Sequence, residues 1–150
     1  MMESATDSEQ VPNSPPRVIL YVEDNPNCRK LVERVFERRP GYCLLTAATG
    51  KDGMRLAQEH APDLVIIDLR LPDVSGFDML QWFRTQEKTR HVPAIAVSAD
   101  ALPSHIHDGI AAGFVDYITK PIDIRHFYAV IDRLTRTLDE WSTKPMTQAG

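Results

Sequence analysis

The sequence predicts an α/β protein in which helices cover both faces of a parallel sheet. Three observations predict it. Short, unbroken apolar runs occur at Val18–Val22, Leu64–Ile67 and Pro93–Val97, as expected of strands covered on both sides. Between them lie segments whose apolar residues recur at helical spacing. The two patterns alternate five times along 150 residues, and such alternation favours parallel strands joined by right-handed crossovers.

Val18–Val22 (VILYV) is the first strand. Asn25 then stands as an N-cap, with Pro26 as the first helical residue. Cys28, Leu31, Val32, Val35 and Phe36 form the inward stripe of that helix, while Arg29, Lys30, Glu33, Arg34 and Glu37 turn away. Tyr42–Ala47 is a less apolar strand of the same sheet, followed by a helix near 52–60. Leu64–Ile67 leads into a helix near 76–87. Pro93–Val97 leads into a helix near 104–112, which Gly113 ends. Phe114–Thr119 is the fifth strand. Asp123 caps the last helix, whose stripe is Ile124, Phe127, Ile131, Leu134 and Leu138.

Composition excludes several classes. Hydrophobic residues make up 43% and charged residues 25%, the balance of a soluble globular domain. No apolar run approaches the roughly 20 residues that cross a bilayer. The acidic start, MMESATDSEQVPNSPP, is not a secretory signal. Cys28 and Cys43 cannot build a disulfide framework, and both read as small core residues in a reducing, cytoplasmic compartment. A net charge of −4 argues against a broad nucleic-acid footprint. Residues 1–16 and 139–150 read as polar tails around a folded unit over 17–138. Too few residues follow Leu138 for an output module, so the unit is expected to act alone.

In open parallel sheets, chemistry sits at the carboxyl ends of the strands. Here the first strand ends in Glu23-Asp24, the third in Asp68, the fourth in Ser98 and the fifth at Lys120-Pro121. Crowded carboxylates repel one another and call for a cation. Lys120 is one. A hard divalent ion held by oxygen and water, Mg²⁺ (or Mn²⁺) rather than Ca²⁺, is the other. No Cys/His pair has zinc-like spacing, and His105 and His107 read as solvated. A carboxylate beside such cations and a hydroxyl is equipped as a nucleophile toward a phosphoryl group, giving an aspartyl phosphate. One strand-end Asp is commonly a helix cap, but four strand ends in agreement are not explained that way.

VEDNP at 22–26, IIDLRLPDVSG at 66–76, VSA at 97–99 and DYITKP at 116–121 resemble the receiver domain of two-component response regulators. The separations of Asp24, Asp68, Ser98 and Lys120 are also similar to that family's. The resemblance covers about residues 17–138. It implies a doubly wound, flavodoxin-like three-layer fold with strand order 2-1-3-4-5, two helices on one face and three on the other. It implies that Asp68 is the phosphoacceptor, taking its phosphoryl group from the phosphohistidine of a histidine kinase or phosphotransfer protein. Asp24 would ligate Mg²⁺ directly, Glu23 largely through water, and Arg70 through its backbone carbonyl. Lys120 would pair with the phosphoryl group, Ser98 would swing inward to bond it, and Tyr117 would change rotamer with Ser98. Ala99 is the small residue expected beside the site, and Pro121 the proline expected after a cis bond. The phosphodonor would dock near the first helix. A downstream protein would read the fourth helix, fifth strand and fifth helix, with no nucleic acid or membrane involved.

The unit is then a phosphorylation switch rather than a turnover enzyme. A receiver cut from a hybrid histidine kinase is the alternative within the family. A phosphatase of the haloacid-dehalogenase type shares the nucleophile, but wants a second aspartate where Arg70 stands. Neither G-x-G-x-x-G nor a P-loop is present. Arg70 and Asp100 flank the route of an attacking water, and their opposite charges are expected to pair.

Overall fold

The chain alternates β1 (Arg17–Val22), α1 (Pro26–Glu37), β2 (Tyr42–Ala47), α2 (Gly50–His60), β3 (Leu64–Asp68), α3 (Gly76–Thr85), β4 (Ala94–Ser98), α4 (Pro103–Ala112), β5 (Asp116–Thr119) and α5 (Ile124–Thr143). These bounds come from a computed structural model, which describes residues 15–143 and the side chains of 15–136. The expected tails at 1–14 and 144–150, and the side chain of Leu138, lie outside the described residues, whereas 139–143, expected to be tail, continue α5. All five strands pair in parallel, in the order β2-β1-β3-β4-β5, as expected.

The two-residue period of the strands splits the core into two layers. Ile19, Tyr21, Leu64, Ile66, Ile95 and Val97 face α1 and α5, meeting Val32, Val35, Phe36, Phe127, Val130 and Ile131. Leu20, Val22, Val65, Ile67, Ala94 and Ala96 face the other way, onto Ala57 of α2 and Met79, Leu80 and Phe83 of α3, with Ile106 of α4 partly buried beside them. Two helices therefore cover one face and three the other. Each Val, Leu, Ile, Met or Phe side chain among them contributes about 1.5–3 kcal/mol when fully buried.

Helix starts follow their caps. Asn25 accepts from the amides of Asn27 and Cys28 ahead of Pro26. Thr49 accepts from Asp52 and so begins α2 at Gly50 rather than near 52. Asp123 accepts from Arg125 and His126. Gly113, at φ 123°, ends α4.

Two expectations are corrected. Leu31 is exposed, because Val32, Val35 and Phe36 already fill the contact with the sheet. Cys43 is exposed and Cys28 only partly buried, because Cys43 is the second residue of the edge strand β2 and Cys28 lies in the first turn of α1. Burial, and then the nearby Glu23 carboxylate, still push the Cys28 thiol above its ordinary range. No helix among the described residues is long and apolar enough to cross a membrane.

Candidate functional site

β1 runs apolar to Val22 and then delivers Glu23 and Asp24 at its carboxyl end. Glu23 is fully buried. The Tyr21 hydroxyl donates to its Oε1 at 3.0 Å, and the Asn25 amide to its Oε2 at 3.2 Å. Arg29, one turn into α1, donates to the carbonyls of Glu23 at 2.8 Å and Asp24 at 3.0 Å. Its guanidinium thereby ties the acidic pair to the helix that follows.

β3 and β5 supply the rest. Asp68, buried at the last position of β3, accepts from the Arg70 amide at 2.9 Å and from Lys120 Nζ at 3.0 Å. The same ammonium lies 2.9 Å from Glu23 Oε1 and 3.0 Å from Oε2. Burial alone would lower the proton affinity of Lys120; its bonds to Glu23 and Asp68 outweigh that and hold it above the ordinary value. Glu23 moves the other way for an acid. Burial and the adjacent Asp68 carboxyl raise its pKa despite the bond from Lys120. Glu23, Asp24 and Asp68 each offer an oxygen within 4.8 Å of the others. Three carboxylates thus crowd together, and the one ammonium bonds two of them, Glu23 and Asp68. An all-oxygen donor set, short of positive charge and open to solvent at Asp24, fits a hard divalent ion.

The loop after Asp68 is closed at several points. Arg70 and Ser75 form an antiparallel bridge. The Gly76 amide bonds the Leu69 carbonyl at 3.1 Å, and a Cβ on Gly76 would stand 2.8 Å from Leu69 Cα; only glycine allows that approach. Asp73 accepts from the Gly50 and Lys51 amides at 2.8 and 2.9 Å, joining the loop to the start of α2.

Ser98 and Tyr117 lie beside this cluster, on the α4 side. Ser98 Oγ, buried at the end of β4, accepts from the Asp100 amide at 3.0 Å. Tyr117 is buried, and its hydroxyl donates to the Asp100 carbonyl at 2.8 Å. A cavity of about 250 Å³ lies against them, lined by Leu69, Arg70, Phe77, His105 and Asp108 with Ser98, Asp100 and Tyr117. Ala99 and Pro121 are exposed, and the Lys120–Pro121 bond is cis.

The ion pair expected between Arg70 and Asp100 is not formed. Asp100 bonds His105, in the first turn of α4, and Arg70 acts on it only at longer range. His105, expected to be solvated, is engaged there. Arg29, Asp73 and His105 are functional candidates that sequence reasoning passed over, while Asp100 was singled out but given Arg70 as its partner. Asx spacing before a helix could have signalled the link of Asp100 to α4, but nothing local distinguishes Arg29 from its solvated neighbours.

The chain is similar to known proteins over most of its length. The family model for the response regulator receiver domain matches residues 19–132. The polar-differentiation response regulator DivK of Brucella anthropi is 35% identical over 116 residues, which is 77% of this chain and 94% of the relative. The receiver domain of a Pseudomonas aeruginosa sensor histidine kinase, solved with magnesium coordinated in its active-site cleft, is 32% identical. It superposes with a TM-score of 0.71, over 79% of this chain and 97% of that one. The receiver domain of a putative LuxO repressor from Vibrio parahaemolyticus reaches a TM-score of 0.74 at 27% identity, over 87% and 99% of the two chains. With the strand order and the acidic cleft at the carboxyl rim, these matches place the chain in the response regulator receiver domain family.

Proposed function

We propose that this protein is a phosphorylation-controlled switch that takes a phosphoryl group onto Asp68 from the phosphohistidine of a histidine kinase or phosphotransfer protein. The observation that carries the reading is the setting of Asp68. It is a buried carboxylate bonded to Lys120 and flanked by two further acids. When bound, Mg²⁺ would be held by Asp24, Asp68, the Arg70 carbonyl and, largely through water, Glu23, and would supply positive charge to the phosphoryl oxygens. An Asp68 oxygen attacks phosphorus in line; the phosphorus–nitrogen bond breaks and its electron pair stays on the donor imidazole. Lys120 Nζ follows the incoming charge, and the Ser98 hydroxyl turns from Asp100 to donate to a phosphoryl oxygen. Tyr117 then changes position. Hydrolysis by water returns the carboxylate and inorganic phosphate, without turnover of an external substrate.

The folded unit over 17–138 would act in the cytoplasm, with the α1 rim receiving the phosphodonor and the α4–β5–α5 face presenting the changed surface. Use of the same unit within a hybrid kinase draws on the likeness to the Pseudomonas kinase receiver. The test is incubation with acetyl phosphate and Mg²⁺, followed by mapping of the modified residue. One phosphoryl group on Asp68 is expected, none without a divalent ion and none in Asp68→Asn. Stoichiometric labelling of folded Asp68→Asn at another residue overturns the assignment.

A further inference from the structure

We infer that the Tyr21 hydroxyl is a positioning group for the metal site, holding the buried Glu23 carboxyl in the place from which that residue serves Mg²⁺ through water. The inference rests on the metal site of the proposed function. Tyr21 is fully buried in β1 and belongs to the layer facing α1 and α5. The other β1 residue of that layer is Ile19, so packing alone does not ask for a hydroxyl here. A buried phenol needs a partner for its polar end. Tyr21 finds one two residues on, donating to Glu23 Oε1 at 3.0 Å. The Glu23 amide bonds the Ala47 carbonyl at 2.9 Å, which carries the pairing with β2 one residue beyond the strand. Residues i and i+2 of an extended chain lie on one face. Glu23 therefore follows Tyr21 inward, while Asp24 is exposed.

Glu23 needs such a hold. Its carboxyl stands on one more rotatable bond than that of an aspartate, and the last of these bonds is soft. Among its other partners, Lys120 is shared with Asp68 and is expected to follow incoming phosphoryl charge. It is not a fixed anchor. The Tyr21 hydroxyl on Oε1 and the Asn25 amide on Oε2, at 3.0 and 3.2 Å, are fixed, and one donor on each oxygen sets the plane of the carboxyl. Burial and then the Glu23 carboxylate push the Tyr21 phenol above its ordinary range, so the hydroxyl keeps its proton and is the donor. A Glu23 without that donor is a buried acid short of one hydrogen bond, free to turn about its last bond. An ion then has to bring it back. Partners behind a metal's ligands act in this way, by orienting them. Tyr21 acts on the metal only through Glu23 and is a positioning residue.

The test is calorimetric titration of the full chain with Mg²⁺, in wild type, Tyr21→Phe, Glu23→Gln and the double variant. Phenylalanine keeps the ring and removes the hydroxyl alone. Tyr21→Phe should raise the Mg²⁺ dissociation constant about three- to fivefold, less than is usual for partners of a direct ligand because Glu23 acts through water. In the Glu23→Gln background the same change should alter it less than about 1.5-fold, since the charge that the hydroxyl positions is gone. Tyr42→Phe removes a hydroxyl bonded to Asp132 and Thr135 at the opposite rim and should bind Mg²⁺ as wild type does. A Tyr21→Phe constant within about 1.5-fold of wild type overturns the inference. So does an equal loss in both backgrounds, or a matching loss in Tyr42→Phe, either of which would make the hydroxyl a matter of general stability. If folded wild type itself binds no Mg²⁺, the reading of the metal site falls, and the role of Tyr21 with it.

Discussion

At the rim where the strands begin, Arg39 pairs with Asp132 and lies over the Tyr128 ring at 4.5 Å and the Tyr42 ring at 5.5 Å. Tyr42 bonds Asp132 at 3.1 Å and Thr135 at 2.8 Å, while the Tyr128 hydroxyl donates to the Val35 carbonyl at 3.0 Å. At the rim where the strands end, Glu23 and Asp68 share one ammonium with Asp24 beside them, and Tyr117 keeps a single hydroxyl bond beside a cavity. Both clusters combine acid, cation and tyrosine at the edge of one sheet. In the first, one cation meets one acid and each ring is held by its hydroxyl and by the guanidinium. In the second, negative charge exceeds positive, and the ring has space beside it. The first arrangement fastens α5 to α1 and β2. The second carries a charge deficit which, on the proposed function, a metal ion and a phosphoryl group would fill, at a cost in stability borne by the rest of the fold.

The sharpest way to break this comparison is to remove one acid from each rim. Asp132→Ala should cost about 1–2 kcal/mol, since it strips the partner from a half-buried Arg39 and from the Tyr42 hydroxyl. Asp68→Asn should instead stabilise the metal-free protein by up to about 1 kcal/mol, by relieving repulsion with Glu23 while an amide oxygen still accepts from Lys120. Urea denaturation of both variants checks the signs. Equal losses would mean that the two rims are built alike.

Filling the deficit should have a similar size. Mg²⁺ at ten times its dissociation constant should add about 1.4 kcal/mol by mass action. Asp24→Ala should lose most of that gain and Glu23→Ala less, because the proposed function makes Asp24 the direct ligand and Glu23 a ligand through water. Thermal unfolding with and without Mg²⁺ measures it, and the reverse ranking would exchange the two roles. Asp132→Ala should keep the full Mg²⁺ gain, since the opposite rim takes no part.

Proton binding gives a smaller effect. Glu23 has a folded-state pKa above its ordinary 4.5, so its favourable contribution is complete below the unfolded value and is lost as pH rises through the folded one. At neutral pH its charge therefore counts against the fold. The stability advantage of Glu23→Gln over metal-free wild type should shrink as pH falls from 7 toward 5. Mg²⁺ affinity should weaken over the same range, because proton and metal compete for the same carboxyl. Lys120, raised above 10.5, gives up its contribution only when the pH climbs past that value. An advantage that does not vary with pH would mean that the Glu23 pKa is not raised in the folded protein.

Much of the second rim was legible in the sequence and little of the first. Glu23, Asp24, Asp68, Ser98 and Lys120 each stand at or just after a strand end, so the alternation of elements was enough to gather them. Asn25 and Asp123 announced their helices, since capping is a local matter. Arg39, Tyr42 and Asp132 gave no such signal. An arginine after a helix and an aspartate on a helix face read as solvated whether or not a partner comes from ninety-odd positions away. Arg29 was hidden for another reason: its partners, the Glu23 and Asp24 carbonyls, are near in sequence, but a backbone acceptor leaves no mark in the residue types. Asp100 was seen as an acid near the site, and Arg70 was chosen as its partner from charge alone. The turn of the chain into α4 brings His105 to it instead.

The smallest effect tests the space around the two sets of rings. Gly109 is the buried residue of α4, and a Cβ there would stand 3.0 Å from Tyr117 Cδ2 and 3.2 Å from Cε2. Alanine in a helix interior gains about 1 kcal/mol over glycine. Against that, the Tyr117 ring must give by a few tenths of an ångström, and an off-rotamer side chain costs about 0.5–1.5 kcal/mol. A ring with a cavity of about 250 Å³ beside it can yield at the low end of that range. Gly109→Ala should therefore unfold within about 0.5 kcal/mol of wild type, while the Tyr117 ring resonances move and its hydroxyl bond to Asp100 weakens. Tyr128, held by the Val35 carbonyl and by Arg39 across its face, has no comparable freedom. A loss above about 2 kcal/mol in Gly109→Ala, the scale of overpacking in a close-packed core, would show that Tyr117 is held as firmly as Tyr128. The contrast between a fastened rim and a movable one would then reduce to charge alone.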